Sequence, residues 1–432
     1  MNTSKDAGVR LRKPDRSQVT MRMECDDQLV APHHPVRVVW DFVRQLDRSA
    51  FEKAIKAREG RCGRDATDPA LMIALWMYAS IRGVGSAREL ARLCKESRPY
   101  QWLCGGVSVN HHTLADFRVD HGEALDQLFT QSLAILVKKG LVKVRRISQD
   151  GTRVRASAGT GSFRGKERLE ELLVQAKKHV ADLRTLLDDP EKSARLSARQ
   201  RSAQRRAARE KAQRVEEAAA MVQRMEMRQE ETANKAGSQR RKPPRASTTD
   251  PEARIMKMPD NGWRPAMNVQ LAVDTQSRAI VGVDVCNAGS DKCQAPPLRR
   301  QVQQRTGLKV QEHLMDGGYL VLDEIDEAAA QGVRLFIPPP APRDPAKAGI
   351  QYQPKPEDSP AQSIWRRRMG SEEGKAVYQE RASTVETANG DLKTHRGLGP
   401  LTVRGLAKAK CVALWCALAY NLVHFGSALL MR

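Results

Sequence analysis

Two short stretches decide how this chain folds: LVKVRRISQDGTRVR (141–155) and KVQEHLMDGGYL (309–320). Each mixes apolar and polar residues and reaches an Asp-Gly pair, Asp150-Gly151 in one and Asp316-Gly317 in the other. Val142, Val144 and Ile147 with interleaved Lys and Arg predict a strand running into a turn at Asp150-Gly151. The second stretch predicts a strand over 309–316 that ends at Asp316. Between them, MNVQLAVD (267–274) has a period of two, and AIVGVDVCN (279–287) follows after a short polar turn, which is the pattern of a β-hairpin. Helical segments over 291–306 and 320–331 and a last strand, VRLFIP (333–338), complete an alternation of helix and strand. Three antiparallel strands followed by that alternation make an α/β layout with a mixed sheet.

Working outward, residues 165–235 are helical and interrupt the layout. Leu169, Leu172, Ala176, Val180, Leu183 and Leu187 form one apolar stripe, and Pro190 breaks it, so two helices folding back as a hairpin are expected. From Arg195 to Arg245 there are fifteen Lys or Arg against six Asp or Glu. Such a run is either a solvated helix face or a surface for a polyanion. Upstream, Val36 to Gly140 reads as a set of helices. Residues 70–79 are apolar almost all round, with Asp68-Pro69 as cap and first turn, and Ser86 with Glu89 forms a capping box. Downstream, eight of the 22 prolines fall between 338 and 360, as in an extended linker or flap, and two helices over 371–396 and 403–430 close the chain.

The 432 residues carry 73 Lys or Arg against 51 Asp or Glu, a formal net charge of +22, which points to nucleic acid as partner. Aromatic residues are only 4%, against an aromatic-rich carbohydrate site or a stacking-based single-strand binder. No secretory signal is evident at the N-terminus, and the eight cysteines form no C-x-x-C pair, so reduced thiols in a cytoplasmic protein are expected. The apolar run 411–430 is long enough to span a bilayer, but Asn421 and His424 interrupt it, and a buried terminal helix is the better reading.

Carboxylates at the ends of adjacent strands can share metal ions. Asp150 and Asp316 end strands that can lie side by side, and Glu386 on the following helix can complete the set. Three carboxylates suit two Mg²⁺ or Mn²⁺ ions roughly 3.5–4 Å apart, placed to activate a water or 3′-hydroxyl and stabilise a leaving oxygen. Lys393, seven residues after Glu386 and on the same helical face, and Arg381 would contact phosphate as cations.

At these residues the chain resembles the insertion-sequence transposases of the DDE superfamily. ISQDGTRVRASAG is similar to the first-aspartate strand of that family and LMDGGYL to the second. YQERASTVETANGDLK (378–393) is similar to its Tyr-Arg-Glu-Lys signature, with four residues between Arg381 and Glu386 where the commonest form has three. DPALMIALWMYASIRGVGSARELARLC, YQWLCGG and NHHTLADFR resemble the family's helical N-terminal domain. The resemblance implies a ribonuclease-H-like mixed sheet with a long helical insertion, preceded by an all-α domain. It divides the chain into a mobile tail (1–34), a helical DNA-binding domain (35–140) and a DDE catalytic domain (141–432) with an insertion at 160–248 and a Pro-rich loop at 338–370. It further implies a metal-binding catalytic triad of Asp150, Asp316 and Glu386, and DNA contacts from Tyr378, Arg381, Lys393, Arg153 and Arg118. The partners would be double-stranded transposon ends and target DNA, with no membrane, and a homodimer or larger synapse at the bacterial nucleoid. Asn268, Asp274, Asn287 and Asp291 would be supporting positions. Glu380 is the rival to Glu386, Trp263 and Trp365 are either packing residues or base-stacking ones, and the WRRRM run (365–369) is a possible backbone clamp. The rival functions are a sequence-specific DNA-binding protein without catalysis and a metal-dependent nuclease that cuts without joining.

Overall fold

In a computed structural model, the structure describes residues 25–55, 65–189, 196–236 and 242–430, with residues 17, 23, 57, 60 and 62 besides. Of the tail expected at 1–34, residues 1–16, 18–22 and 24 lie outside the described residues. Within 25–34 the chain is anchored at Asp27: Arg37 pairs with it at 2.8 Å, and the Trp102 indole N–H donates to the same carboxylate at 3.2 Å.

The helical region comprises α1 (Pro35–Gln45), α2 (Ser49–Lys53), α3 (Pro69–Ile81), α4 (Ala87–Glu96), α5 (Arg98–Cys104), α6 (His111–Asp120) and α7 (Gly122–Lys138). The caps are those the residue types favour: the Asp68 carboxylate accepts from Ala70 N–H at 2.7 Å, and the Asn110 side chain accepts from His112 and Thr113. Twelve of the thirteen residues of α3 are buried, which accounts for its lack of a polar face.

The sheet contains β1 (Arg146–Arg155), then, beyond a two-residue ribbon of β2 (Phe163–Arg164) with β3 (Ala246–Ser247), β4 (Arg254–Lys257), β5 (Trp263–Asp274), β6 (Ile280–Cys286), β7 (Glu312–Leu314) and β8 (Arg334–Phe336). Its order is β4-β5-β1-β7-β8, with β6 also on β5. β5 pairs antiparallel with β1, β4 and β6; β7 lies parallel to both β1 and β8. Three antiparallel strands leading into parallel ones, joined by helices, are the ribonuclease-H-like arrangement. The insertion leaves between β2 and β3 as α8 (Lys166–Asp188) and α9 (Ala198–Ala236), an antiparallel pair. Pro190 itself lies outside the described residues. α10 (Ala295–Thr306), α11 (Leu322–Ala330), α12 (Pro360–Gly370), α13 (Glu372–Gln379), α14 (Thr387–His395) and α15 (Leu406–Leu429) follow.

Two expectations change. First, β1 does not stop at a turn: Asp150 and Gly151 lie inside the strand, opposite Leu271 and Gln270 of β5. The glycine serves a close approach, described below. Second, the Pro-rich stretch is not a loop through 370, because Pro360 opens α12, with the Ser359 hydroxyl accepting from Gln362 N–H at 3.1 Å.

α15 is long and apolar enough to cross a bilayer, yet 67% of its most apolar window is buried inside the fold. It packs on β6 of the sheet and on α3 and α7 of the helical region, so both halves share one core. Asn421, the polar interruption in this helix, exchanges two hydrogen bonds with the backbone of Ile280 at 2.9 and 2.8 Å and so fixes the start of β6.

His313 of β7 is fully enclosed, with neither ring nitrogen hydrogen-bonded. Burial, reinforced by the Arg299 charge, holds its pKa well below the ordinary value. The folded chain therefore keeps this ring neutral while the unfolded chain takes up a proton below about pH 6.5. Stability should therefore fall as the pH drops below about 6.5. Urea unfolding of His313→Leu at pH 7.5 and 5.0 should show a correspondingly smaller loss than the parent chain.

Candidate active site

The register places the two aspartates. Arg146, Ile147 and Ser148 pair in parallel with Glu312, His313 and Leu314. Continued by two residues, the same register sets Asp150 abreast of Asp316. Asp150 stays in its strand, whereas the chain turns after Asp316, whose carboxylate accepts from Gly318 N–H at 2.8 Å. α13, α14 and the turn between them supply the other wall. Arg381 donates through Nη2 to Asp150 Oδ1 and through Nη1 to Glu386 Oε1, both at 2.8 Å. Asn389 Nδ2 donates to Asp150 Oδ2 at 2.9 Å. Asn389 went unnoticed in the sequence, although it lies three residues after Glu386 and hence on the same helical face.

The extra residue between Arg381 and Glu386 has a local explanation. Ala382–Glu386 forms a π-helical turn between the two α-helices. Such a turn absorbs one inserted residue without breaking the helix and is frequent at functional sites. It is what brings the Arg381 and Glu386 side chains together across five positions.

Electrostatics bind the group together. Burial raises the Asp150 pKa to about 6; the Arg381 charge opposes that rise, while Asp316, Asp291 and Glu386 add to it. Lys393 is half-buried close by, its pKa lowered by burial and supported by the Asp150 charge. The half-buried Tyr378 phenol, raised by burial, lies beside Arg381. The site thus gathers Asp150, Asp316, Glu386, Arg381, Tyr378 and Lys393. Glu380, the rival carboxylate, is taken up by Arg146 at 2.5 Å.

Hard carboxylate oxygens suit a divalent cation in kind, and the mutual repulsion that raises Asp150 is what such a cation would relieve. Among the described residues no three His, Cys, Asp or Glu side chains stand close enough to hold an ion as they are. The Arg381 guanidinium already bridges two of the acids, so a bound ion requires that arginine to yield.

Behind Asp150, on the opposite face of β1, lies a buried polar network. Gln270 Nε2 and Asn268 Nδ2 donate to Asp291 Oδ1 at 2.8 and 2.7 Å, and Gln270 Oε1 accepts from Gln149 and from the Tyr319 hydroxyl at 2.8 and 2.5 Å. One amide therefore ties the Asp150 strand, through Gln149, to the turn after Asp316, through Tyr319. Arg153 shares this face, donating to Gly289 O at 2.9 Å and approaching Asp291 at 3.8 Å, and so is not beside the Asp150 carboxylate. Asp274 caps its own turn through Ser277, and Asn287 donates to Glu252 O, so neither joins the network.

Two further readings are corrected. Arg118, expected to contact DNA, is buried: its guanidinium lies 4.6 Å from the Trp76 ring centroid and donates to Gly85 O at 2.5 Å. Packing claimed the cation that its helix seemed to expose. In the 365–369 run, Trp365 is fully buried, Arg366 pairs with Asp358 at 2.6 Å and Arg368 donates to Leu335 O; only Arg367 is exposed. Trp263, by contrast, is 64% exposed at the start of β5.

Residues 244–422 match the transposase DDE domain family, and residues 24–120 match a second transposase domain family. Asp316, Glu386 and the other residues from α13 and α14 lie inside the first match, whereas Asp150 precedes it, on the far side of the helical insertion. No curated protein and no solved structure matches the chain.

Gly151 tests the network behind the site. A Cβ there would lie 2.2 Å from Asp291 Oδ1, 2.4 Å from Gln270 Nε2 and 2.8 Å from Asn268 Oδ1, all held in the network. Gly151→Ala should therefore cost about 1–3 kcal/mol in urea unfolding. Gly159→Ala, where a Cβ meets nothing within 4 Å, should stay within about 0.5 kcal/mol of the parent.

Proposed function

This chain belongs to the DDE transposases of insertion sequences, and from that premise we propose that it cleaves the ends of its own element and joins them to target DNA at Asp150, Asp316 and Glu386. The observation that carries this reading is the convergence of those three acids: Arg381 binds Asp150 and Glu386, and the β1–β7 register sets Asp316 abreast of Asp150.

Asp150 and Asp316 are the rigid pair. One is fixed in the centre of the sheet, and the other is held by its own turn and by the Tyr319–Gln270 bond. Glu386 is half-exposed, on a helix rather than in the sheet, and its bond to Arg381 is the one a ligand would replace. These carboxylates would hold divalent ions, Mg²⁺ or Mn²⁺, which when bound supply the charge that activates an attacking oxygen and stabilises the leaving one. The chain contributes positioning and cations. Asn389 orients the Asp150 carboxylate, Lys393 stands beside it as a phosphate contact, and Arg381 is placed to exchange its carboxylate partners for DNA phosphate. Tyr378 braces Arg381 from the preceding helix. The helical region that matches the second transposase family would bind the terminal repeats, and pairing two ends calls for a dimer or larger complex.

Asp150→Asn, Asp316→Asn and Glu386→Gln should each lower cleavage and joining of end-containing duplex DNA with Mg²⁺ by roughly 10²–10³-fold or more, on the scale of removing one charge-stabilising group. Gel-shift affinity for the same DNA should be retained. Undiminished joining by any of the three would remove it from the assignment. A parent chain that binds the ends but neither cuts nor joins would favour the non-catalytic reading.

A further inference from the structure

The helical insertion divides its charge along its length. In α9, residues 198–214 hold seven Lys or Arg and one acid, whereas 215–236 hold three and five. The pairing of the two helices shows where each half lies. Lys166 faces Glu226, Lys177 faces Glu216, and Asp188 meets Arg205. The acidic half therefore sits at the base, next to the β2–β3 ribbon, and the basic half forms the far end. At 1.5 Å per residue the 23 residues of α8 carry that end about 33 Å from the base.

The base is built to be rigid. Leu169, Val215, Ala218, Val222 and Ala246 form a small core of their own, and the Ser162 and Ser247 hydroxyls share a hydrogen bond at 2.7 Å. The far end is built differently. Arg201, Arg205 and Arg209 succeed one another at intervals of four on one face of α9, with Arg206 alongside. Together with Leu187 they line an open groove of about 570 Å³. Ion pairs made here, such as Arg205 with Asp188 and Arg206 with Glu210, lie at the surface, where such pairs are worth little and a phosphate competes readily. Arg199 and Lys211 are exposed as well.

We propose that the far end of the α8–α9 hairpin is a second DNA-contact surface, which grips the phosphate backbone of double-stranded DNA away from the carboxylate site. The proposal rests on the transposase reading. A 33 Å arm spans about one turn of duplex, enough to hold DNA beyond the segment engaged by the carboxylates. The contacts are to phosphate, so they add affinity and not sequence choice.

The test uses the full chain, a 60-base-pair duplex of arbitrary sequence, and binding measured over a range of salt concentrations. One variant replaces Arg199, Arg201, Arg205, Arg206 and Arg209 by Gln; a second replaces the same five by Lys; a third changes only Arg224 and Arg228, in the base half, to Gln. The five-Gln variant should bind at least tenfold more weakly, and its plot of log affinity against log salt should be flatter by about 0.9 for each phosphate that the arm no longer neutralises. The five-Lys variant should bind like the parent, and the base-half variant should lose less than threefold. Helical circular dichroism equal to the parent's marks the folded state, and the parent-like five-Lys variant separates lost charge from lost fold. A five-Gln variant with the parent's affinity and slope would overturn the proposal. So would one that keeps both but loses a parent oligomer in sedimentation, because the hairpin end would then be a subunit contact. Asp150-dependent cutting by the parent, measured in parallel, tells failure of this surface from failure of the transposase reading.

Discussion

The parallel pairing of Arg146–Ser148 with Glu312–Leu314 in the centre of the sheet is the constraint on which the proposed site depends. β7 could not hold its place alone, since it and its outer neighbour β8 are three residues each. β1 is held by nine residue pairs along β5, and it carries β7 into register. Once that register exists, Asp150 and Asp316 are neighbours, although 166 positions and a long hairpin separate them in the chain. A slip of one residue would turn Asp150 to the other face of the sheet. The buried Gln270 amide guards against such a slip, because it binds Gln149 and Tyr319 at once.

Charge then shapes what the register has assembled. Burial raises the Asp150 pKa, and the acids around it add to that rise. Arg381 opposes that rise by reaching two carboxylates from one side chain. The π-helical turn makes that reach possible, because a regular helix would place the two residues on different sides. The irregularity in the sequence pattern is thus accommodated by the local backbone.

The hydrophobic core extends the same logic to the whole chain. α15 lies between the sheet and the N-terminal helices, so neither half buries its apolar face without the other. The Trp415 indole N–H donates to Arg118 O at 3.1 Å, and Asn421 grips β6, so polar atoms on one helix reach into both halves. The α8–α9 hairpin stands apart with a small core of its own, and its long helices carry charge outward from that base.

Much was legible in the sequence because it is local. The period of two in MNVQLAVD, the caps at Asp68 and Ser86, the apolar stripe of α8 and the break toward α9 are all set by neighbours a few positions away. The acids at 150, 316 and 386 could be named for the same reason, from short motifs. Other features were decided by distant contacts. Whether Asp150-Gly151 makes a turn depends on β5 being there to extend the strand. Whether Arg118 faces solvent depends on Trp76 and the Gly85 carbonyl, 42 and 33 positions upstream. Asn389 became visible only when its helix met β1. Likewise the chain's surplus of positive charge was plain from composition, but its concentration at the far end of one hairpin follows from how two helices pair. Hydrogen bonding and periodicity along the chain are short-ranged, whereas burial and charge are settled by whatever the fold brings close.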